Sequence, residues 1–408
     1  MSDIIEIGEK YHLFQRGSQT CRYGIYGLTR EYFSTDKPPP APPPTIALKI
    51  PPPKLRVMQA VITSRCNLRC TYCSFDANAP DLTIPAMNRE ELEALAKRFE
   101  SEIGTDGLLL ITGGEPELHR EAVDYLIQSI SGKIIIFTNG TLTDRSRLEH
   151  YQRRGVGVLF SLDGDLFAHD AARLTKGGSF ERAAQALRQA RDLGMDYGIS
   201  AVVGDHNIGK LPQLVEYFYE EFHPASVGLN LPHQHHGVAW NRIEEYTEAM
   251  LCIFAFAKRV GLFVDQINRR LSPLVYRRFR FRDCAAQGDK IVAFPGGVIT
   301  SCVDEGALSG RKVDWVRRLP ILNQECRSCE AIGICGGGCI FDGEAIYGPG
   351  QFDQRNCYFT RTLLNFMIWD MWDELGARAN DLAALEEQYG ALLKRGQGTR
   401  FSVGHETG

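Results

Sequence analysis

The sequence predicts an α/β protein: a partial (β/α)6, TIM-like barrel, with a small β-rich unit before it and a cysteine-rich domain after it. Three observations predict this. Strand-length apolar runs alternate with amphipathic helical stretches six times between residues 55 and 262, and such alternation implies a parallel sheet with helical crossovers. Residues suited to chemistry follow successive strands, which favours a barrel over a doubly wound sheet, because barrel ligands bind at the strands' carboxyl ends. Ten of twelve cysteines gather in two regions, leaving Cys21 and Cys252 as isolated, packed or incidental thiols.

Residues 1–36 alternate apolar and polar side chains in "EKYHLFQR" and "RYGIYGLTREYF" around a "GSQ" turn, which predicts a small antiparallel hairpin unit. Residues 37–54 are proline-rich and are expected to be a semi-rigid extended linker. The barrel, residues 55–262, opens with the apolar run "VMQAVIT" leading into a cysteine loop. "NREELEALAKRFES" follows with helical period, and Asn88 is its candidate N-cap. Next come the strand "GLLLIT", the helix "HREAVDYLIQSI", and the further strands "KIIIFTN", "VGVLFSL", "DYGISAVV" and "ASVGLNL" with helices between and after them. A bridging segment, residues 263–283, contains "RRLSPLVYRRFRFR", whose six arginines read as a solvated helix face or edge strand, or as a dock for an acidic peptide. Residues 284–360 show a short hairpin pattern and then a glycine- and cysteine-rich stretch with little period, which cofactors would have to organise. Residues 361–408 predict two helices and a loose tail.

Composition narrows the function. The 408 residues carry 50 acidic and 46 basic side chains, a net charge of −4, and 44% hydrophobic residues. That balance gives no reason to expect nucleic acid or an anionic membrane as partner. No apolar run approaches the ~20 residues of a transmembrane helix, and the opening "MSDIIEIGEKYHLF" lacks a signal-peptide pattern. The expected location is the cytoplasm, where clustered cysteines read as metal ligands rather than disulfides.

The first cluster is "CNLRCTYC", with Cys66, Cys70 and Cys73 spaced C-x3-C-x2-C. Three thiolates leave one position of a four-iron cluster open; the alternative is a structural zinc with a distant fourth ligand. After the second strand stands "TGGEPEL", with Gly113, Gly114, Glu115 and Pro116. Paired glycines permit close backbone approach, and the carboxylate suits an ammonium or hydroxyl. Asn139 follows the third strand in "TNG"; Ser161 and Asp163 follow the fourth in "SLDG"; Arg173 comes shortly after in "HDAAR". Arg173 suits a carboxylate, and Ser161 or Asp163 a ribose hydroxyl. Each motif alone is weak, but their order along the strands is specific.

Over about residues 55–235 these motifs resemble a radical S-adenosylmethionine (SAM) enzyme. The resemblance covers the cysteine loop with Tyr72 before its last cysteine, the "GGEP" contact to the SAM amino group, and the ribose and carboxylate contacts of "SLDG" and Arg173. It implies that SAM fills the open iron position and is cleaved to a 5′-deoxyadenosyl radical that abstracts hydrogen from a substrate. Further along, Cys284 is followed by Gly297, four residues and Cys302; Cys326, Cys329, Cys335 and Cys339 run C-x2-C-x5-C-x3-C, and Cys357 is last. This is similar to the seven-cysteine SPASM domain of radical SAM enzymes acting on peptides and proteins.

The resemblance implies three [4Fe–4S] clusters. Cys284, Cys302 and Cys339 would hold a first auxiliary cluster, its remaining position open or filled by something other than cysteine. Cys326, Cys329, Cys335 and Cys357 would hold a second. A zinc ribbon over Cys326–Cys339 is the bland alternative, and it strands the other cysteines. Asp304, or Glu305 beside it, is a candidate base for a substrate radical, unless both are ordinary surface carboxylates. His233, His235 and His236 form a loop after the sixth strand, either solvated or metal-binding, with His233 nearest the strand end and placed to touch substrate.

The implied enzyme is an oxidoreductase that matures a ribosomally made precursor peptide by a carbon–carbon (cyclophane-like) or thioether crosslink. A reductase such as flavodoxin or ferredoxin would supply electrons. The rivals are a maturase of a larger protein, like the anaerobic sulfatase maturases, and an iron–sulfur electron-transfer or scaffold protein. Residues 1–36 look too short for the complete leader-recognition domain of many peptide maturases.

Overall fold

The computed structural model of this chain describes residues 4–34, 45–73, 85–233, 240–308 and 310–394. The first strands are β1 (Ile4–Gly8), β2 (Tyr11–Arg16), β3 (Gln19–Gly24), β4 (Arg30–Ser34) and β5 (Thr45–Lys49). Strands β2, β3 and β4 form an antiparallel meander, one strand more than the expected hairpin. Strand β1 pairs antiparallel with β5, Ile4 opposite Lys49. Thus part of the expected 37–54 linker is a strand. Its residues, TIALK, carry no proline, so every backbone N–H remains available to a ladder.

The unit also docks on the rest of the chain. The Tyr32 hydroxyl donates to the Ile368 carbonyl at 2.7 Å, its ring stacks on Trp372 at 4.8 Å, and Arg30 donates to the Leu274 carbonyl at 2.8 Å. Cys21 is fully buried in this packing, whereas Cys252 is exposed.

The central strands are β6 (Val57–Thr63), β8 (Leu108–Gly113), β9 (Lys133–Thr138), β10 (Gly157–Ser161), β12 (Tyr197–Val202), β13 (Ser226–Asn230) and β14 (Phe263–Val264). Between them lie the two-residue strands β7 (Arg69–Cys70) and β11 (Arg173–Leu174), which pair with each other. Last come β15 (Lys290–Ala293) and β16 (Ile299–Thr300). The large sheet runs β14-β13-β12-β10-β9-β8-β6-β15-β16, parallel except for the β15–β16 hairpin. From β6 to β14 each strand is added on the same side of the last. A doubly wound sheet reverses its order at a switch point. Right-handed crossovers that always advance the same way put every helix on one face, which is the winding of a partial barrel.

The strands divide accordingly. Met58, Ala60, Ile62, Leu109, Ile111, Ile134, Ile136, Val158 and Phe160 join the main core with the crossover helices. On the other face Val57, Leu108 and Ile135 form a small separate cluster. Beyond it that face turns polar: Gln59 donates to Thr112 at 3.1 Å and accepts from Lys290 at 3.0 Å. The first crossover helix, Arg89–Glu102, begins with a reciprocal capping box: the Asn88 side chain accepts from the Glu91 N–H at 3.0 Å, and Glu91 accepts from the Asn88 N–H at 2.8 Å.

Two expectations about the C-terminal third change. The arginine stretch is not a solvated face. Arg270 and Arg280 turn inward onto Asp283, each at 2.8 Å, and buried Arg282 donates to the carbonyls of Gln287 and Pro51. Asp283 stands beside Cys284, so one buried carboxylate gathers Arg270 and Arg280, and of the six arginines Arg277 and Arg278 are the exposed ones. The helix expected after residue 360 spans Gln354–Leu375 and carries Cys357 in its first turn, so a boundary at 360 would cut it. It starts early because Asp353 caps it. The second helix is Leu382–Leu393, and the expected tail from 395 on lies outside the described residues.

Candidate functional site

The loop carrying Cys66, Cys70 and Cys73 follows β6 and is tied to the carboxyl ends of the next three strands. At β8, Gly113 and Gly114 pass directly over the segment that enters the loop. Gly113 has φ +138°, and a Cβ there would stand 2.2 Å from the Thr63 carbonyl oxygen; at Gly114 it would stand 2.1 Å from that of Arg65. The close approach that these glycines permit is therefore to the chain itself. At β9, the Asn139 amide donates to Asn67 at 2.9 Å and lies 3.8 Å from the Cys66 sulfur, while Asn67 donates to Thr141 at 2.7 Å. At β10 the tie is electrostatic. Asp163 takes two bonds from Arg173 at 3.0 and 3.1 Å and one from the Tyr72 hydroxyl. Another Arg173 nitrogen lies 3.9 Å from the Cys70 sulfur, and β11 sets Arg173 opposite Cys70 in register.

Burial would push the Asp163 carboxyl up, but the Arg173 charge and the hydrogen bonds outweigh it and hold it well below the usual range. Glu115 behaves differently. Its side chain is fully buried; it accepts from the Glu117 N–H at 3.0 Å, the Thr138 hydroxyl at 2.9 Å and the Asn139 N–H at 2.7 Å. With no cation against it, burial raises it to about 7 despite those donors. Each oxygen accepts at least one of these bonds, so Glu115 braces the turn it closes by satisfying backbone N–H groups there. Pro116 opens the short helical turn Pro116–His119 behind it. Ser161, half-buried, lies opposite Ser200 in the sheet.

Sequence reading missed the fifth strand's contribution. Asn207 donates to the Asp163 carbonyl at 2.9 Å, the His206 ring stacks on Tyr72 at 5.8 Å, and the Val202 N–H donates to the Asp163 carboxylate at 3.0 Å. The "GDHN" that follows β12 was the available signal.

The charges acting on the C-terminal cysteines link them in two sets. Burial raises the Cys302 thiol, and Cys284 and Cys339 push it further. Burial likewise raises Cys357, with Cys335, Cys326 and Cys329 adding to it; Cys326, raised to about 12, feels Cys335 and Cys329. Cys339 thus sides with Cys284, although Cys335 is four residues away in sequence. Two thiols have polar support: Asn356 donates to the Cys335 sulfur at 3.4 Å and is itself held by Arg270 at 2.6 Å, and the Asp342 N–H donates to the Cys339 sulfur at 3.4 Å.

These sets suit iron–sulfur ligation better than single zinc ions. A tetrahedral zinc with Zn–S near 2.3 Å needs sulfurs ~3.8 Å apart. Among the described residues, the one set of three ligand atoms within 4.8 Å of one another is His233, Cys339 and Asp342; no three thiols converge so closely. The raised thiols are no obstacle, because a coordinating thiol is deprotonated outright.

Of the candidate bases, Glu305 accepts from the Ser301 N–H at 2.9 Å and the Trp315 indole at 3.2 Å. Asp304 is buried, and its charge acts on Cys302 and His233. The His233 side chain is 41% exposed and makes a 3.1 Å contact with Asp342; desolvation lowers the ring's proton affinity, but Asp342 outweighs this and raises it to about 9. His235 and His236 lie outside the described residues.

Residues 60–218 match the family model of the radical SAM superfamily. They are a radical SAM domain. The chain is 24% identical over 359 residues to Fe-coproporphyrin III synthase of Methanosarcina barkeri, covering 75% of this chain and 88% of that protein. It is 24% identical over 321 residues to the antilisterial bacteriocin subtilosin biosynthesis protein AlbA of Bacillus subtilis, covering 69% and 66%. It spans about half the length of several further curated relatives that it matches. A solved structure of native anSMEcpe with bound AdoMet and Cp18Cys peptide superposes with a TM-score of 0.62 at 17% identity, over 79% of this chain and 99% of that one. The radical SAM fold and a cysteine-rich C-terminal region thus occur together here. Among the described residues no helix is long and apolar enough to cross a membrane.

Proposed function

We propose that this radical SAM protein matures a peptide, forming an oxidative crosslink in a ribosomally made precursor. The observation that carries the reading is the joining of Cys66, Cys70 and Cys73 to Asn139, Asp163 and Arg173 at one end of the sheet, with two further cysteine groups beyond it. Cys66, Cys70 and Cys73 would hold a [4Fe–4S] cluster. When bound, that cluster and SAM supply a radical able to take hydrogen from an unactivated carbon.

The protein's own part is positioning. Asn139, Ser161, Tyr72 and the backbone at Gly113 and Gly114 would border SAM. Arg173, fixed by Asp163, would present its remaining donors to the SAM carboxylate. Cys284, Cys302 and Cys339 would hold one auxiliary cluster and Cys326, Cys329, Cys335 and Cys357 another. Asp304, beside the first group, would accept the substrate proton. A flavodoxin- or ferredoxin-type reductase would supply electrons.

AlbA, named for bacteriocin biosynthesis, and a neighbour solved with a peptide support a peptide substrate. The Fe-coproporphyrin III synthase match supports a second reading, a tetrapyrrole substrate, because it spans 75% of this chain. Anaerobic incubation of the reconstituted enzyme with SAM, reductant and either a candidate precursor peptide or a tetrapyrrole precursor of Fe-coproporphyrin III, read by mass spectrometry, separates them. A peptide lighter by two hydrogens per crosslink supports the first reading. Turnover of the tetrapyrrole alone overturns it.

A further inference from the structure

The β7–β11 ribbon has two faces. One carries Cys70 and Arg173; the other is apolar at its centre and basic at its rim. We propose that this second face is the docking site of an acidic, flavodoxin-type electron carrier. This rests on the cluster and reductase assignments above and adds where the carrier binds.

Register fixes the two faces. Arg173 lies opposite Cys70, and Leu174 opposite Arg69. Cross-strand partners share a face, and successive residues alternate between faces. Arg173 is buried against Asp163, whereas Leu174 is 45% exposed and Arg69 is exposed too. Arg69 and Cys70 are chain neighbours, so their Cα atoms are ~3.8 Å apart. A protein seated on the outer face is therefore one residue from a cluster thiolate, and it leaves the inner face to SAM and substrate.

The short helix Leu166–Ala172 extends the outer face. It buries Ala168, His169 and Ala172. Phe167, 78% exposed, and Ala171 lie four residues apart on its open side, which leads to Leu174. Exposed apolar side chains grouped in this way and rimmed by charge mark an interaction site. The rim is Arg69 and Lys176, the latter exposed in the turn that leaves β11, and neither is ion-paired among the described residues. The acids of the same segment are already engaged. Asp165 pairs with Lys210 at 3.0 Å, and Asp170 accepts from the Ser179 and Phe180 N–H groups at 2.8 and 2.9 Å. Exposed Glu181 has Arg182 beside it. On a chain of net charge −4, such a patch steers an acidic partner to one place. The apolar centre fits the methyl-bearing edge of a bound flavin, which a ferredoxin's thiolate-held cluster does not present. One electron passes from the reduced flavin to the cluster, and no bond forms or breaks.

The test uses the reconstituted full-length enzyme with SAM and no peptide, and reads 5′-deoxyadenosine. Electrons come either from limiting reduced flavodoxin or from dithionite, which needs no docking site. The measured quantity is the ratio of the two rates. Arg69→Glu with Lys176→Glu should lower that ratio roughly tenfold, and Phe167→Ser should lower it as well. Added salt should lower it in the wild type and less in the charge-reversed protein. A variant that holds less cluster loses both rates alike, so a loading defect does not imitate this result. A ratio unchanged in every variant overturns the docking site. A fall seen with reduced ferredoxin and not with flavodoxin overturns the choice of carrier. Dithionite-driven crosslinking of a precursor that falls in these variants while the ratio holds would give the face to the peptide and overturn the proposal. No 5′-deoxyadenosine from the wild type with either reductant overturns the cluster assignment, and this proposal with it.

Discussion

Arg173 grips Asp163 with two nitrogens, at 3.0 and 3.1 Å, and turns a third toward the Cys70 sulfur at 3.9 Å. One guanidinium thereby couples the end of β10 to the cysteine loop. Asp163 is fully buried and Arg173 nearly so, and removing one partner of a buried pair strands the other's charge.

Arg173→Ala should therefore lower the unfolding free energy of the metal-free protein by about 3–5 kcal/mol. Adding Asp163→Asn should restore part of it, because the uncompensated carboxylate is gone. Urea denaturation of the two single variants and the double variant measures the coupling. SAM affinity of the reconstituted protein should fall roughly ten- to a hundredfold in Arg173→Ala. Unchanged affinity would remove Arg173 from the SAM contacts.

Glu115 braces the turn after β8 through three accepted hydrogen bonds. Glu115→Ala leaves two backbone N–H groups and the Thr138 hydroxyl without their acceptor, and should cost at least about 3 kcal/mol. Glu115→Gln keeps one acceptor oxygen and should cost less. If the brace reading holds, SAM affinity should follow stability across the pair. A Glu115→Gln protein with wild-type urea midpoint and sharply weakened SAM binding would show a direct contact instead.

Loss of the first cluster should spare the others. Cys66, Cys70 and Cys73 sit after β6, whereas the remaining seven grouped cysteines lie at Cys284 and beyond. Full loading implies about twelve irons per chain, and replacing the first three cysteines by Ala should remove about four and abolish SAM cleavage. Iron analysis and detection of 5′-deoxyadenosine check both. Reconstituted protein containing zinc and no iron–sulfur absorption would end the cluster reading.

The two C-terminal cysteine groups predict crossed ligation. Cys339→Ala should damage the cluster of Cys284 and Cys302, and Cys357→Ala that of Cys326, Cys329 and Cys335. The turn that lets the chain leave one group for the other is Gly336, Gly337 and Gly338, with φ +66°, +101° and +68°, which L-residues with a Cβ rarely adopt. Mössbauer spectra of the two variants should lose different components. Loss of the same component in both would refute the partition.

The sequence alone determined the winding and the order of the candidate positions along it. Six strand–helix periods, the Asn88 cap, the cysteine spacings and the small motifs that follow β8, β9 and β10 are local patterns. Local patterns are legible because backbone period, capping chemistry and ligand spacing act within a few residues. What only the tertiary structure decided are relations between distant side chains. It turned Glu115 inward, drew Arg270 and Arg280 onto Asp283, paired β5 with β1, and set His233 against Asp342, 109 residues away in sequence. Each of these depends on a buried polar group finding a partner of suitable charge. No periodicity encodes which partner the packing will bring within reach.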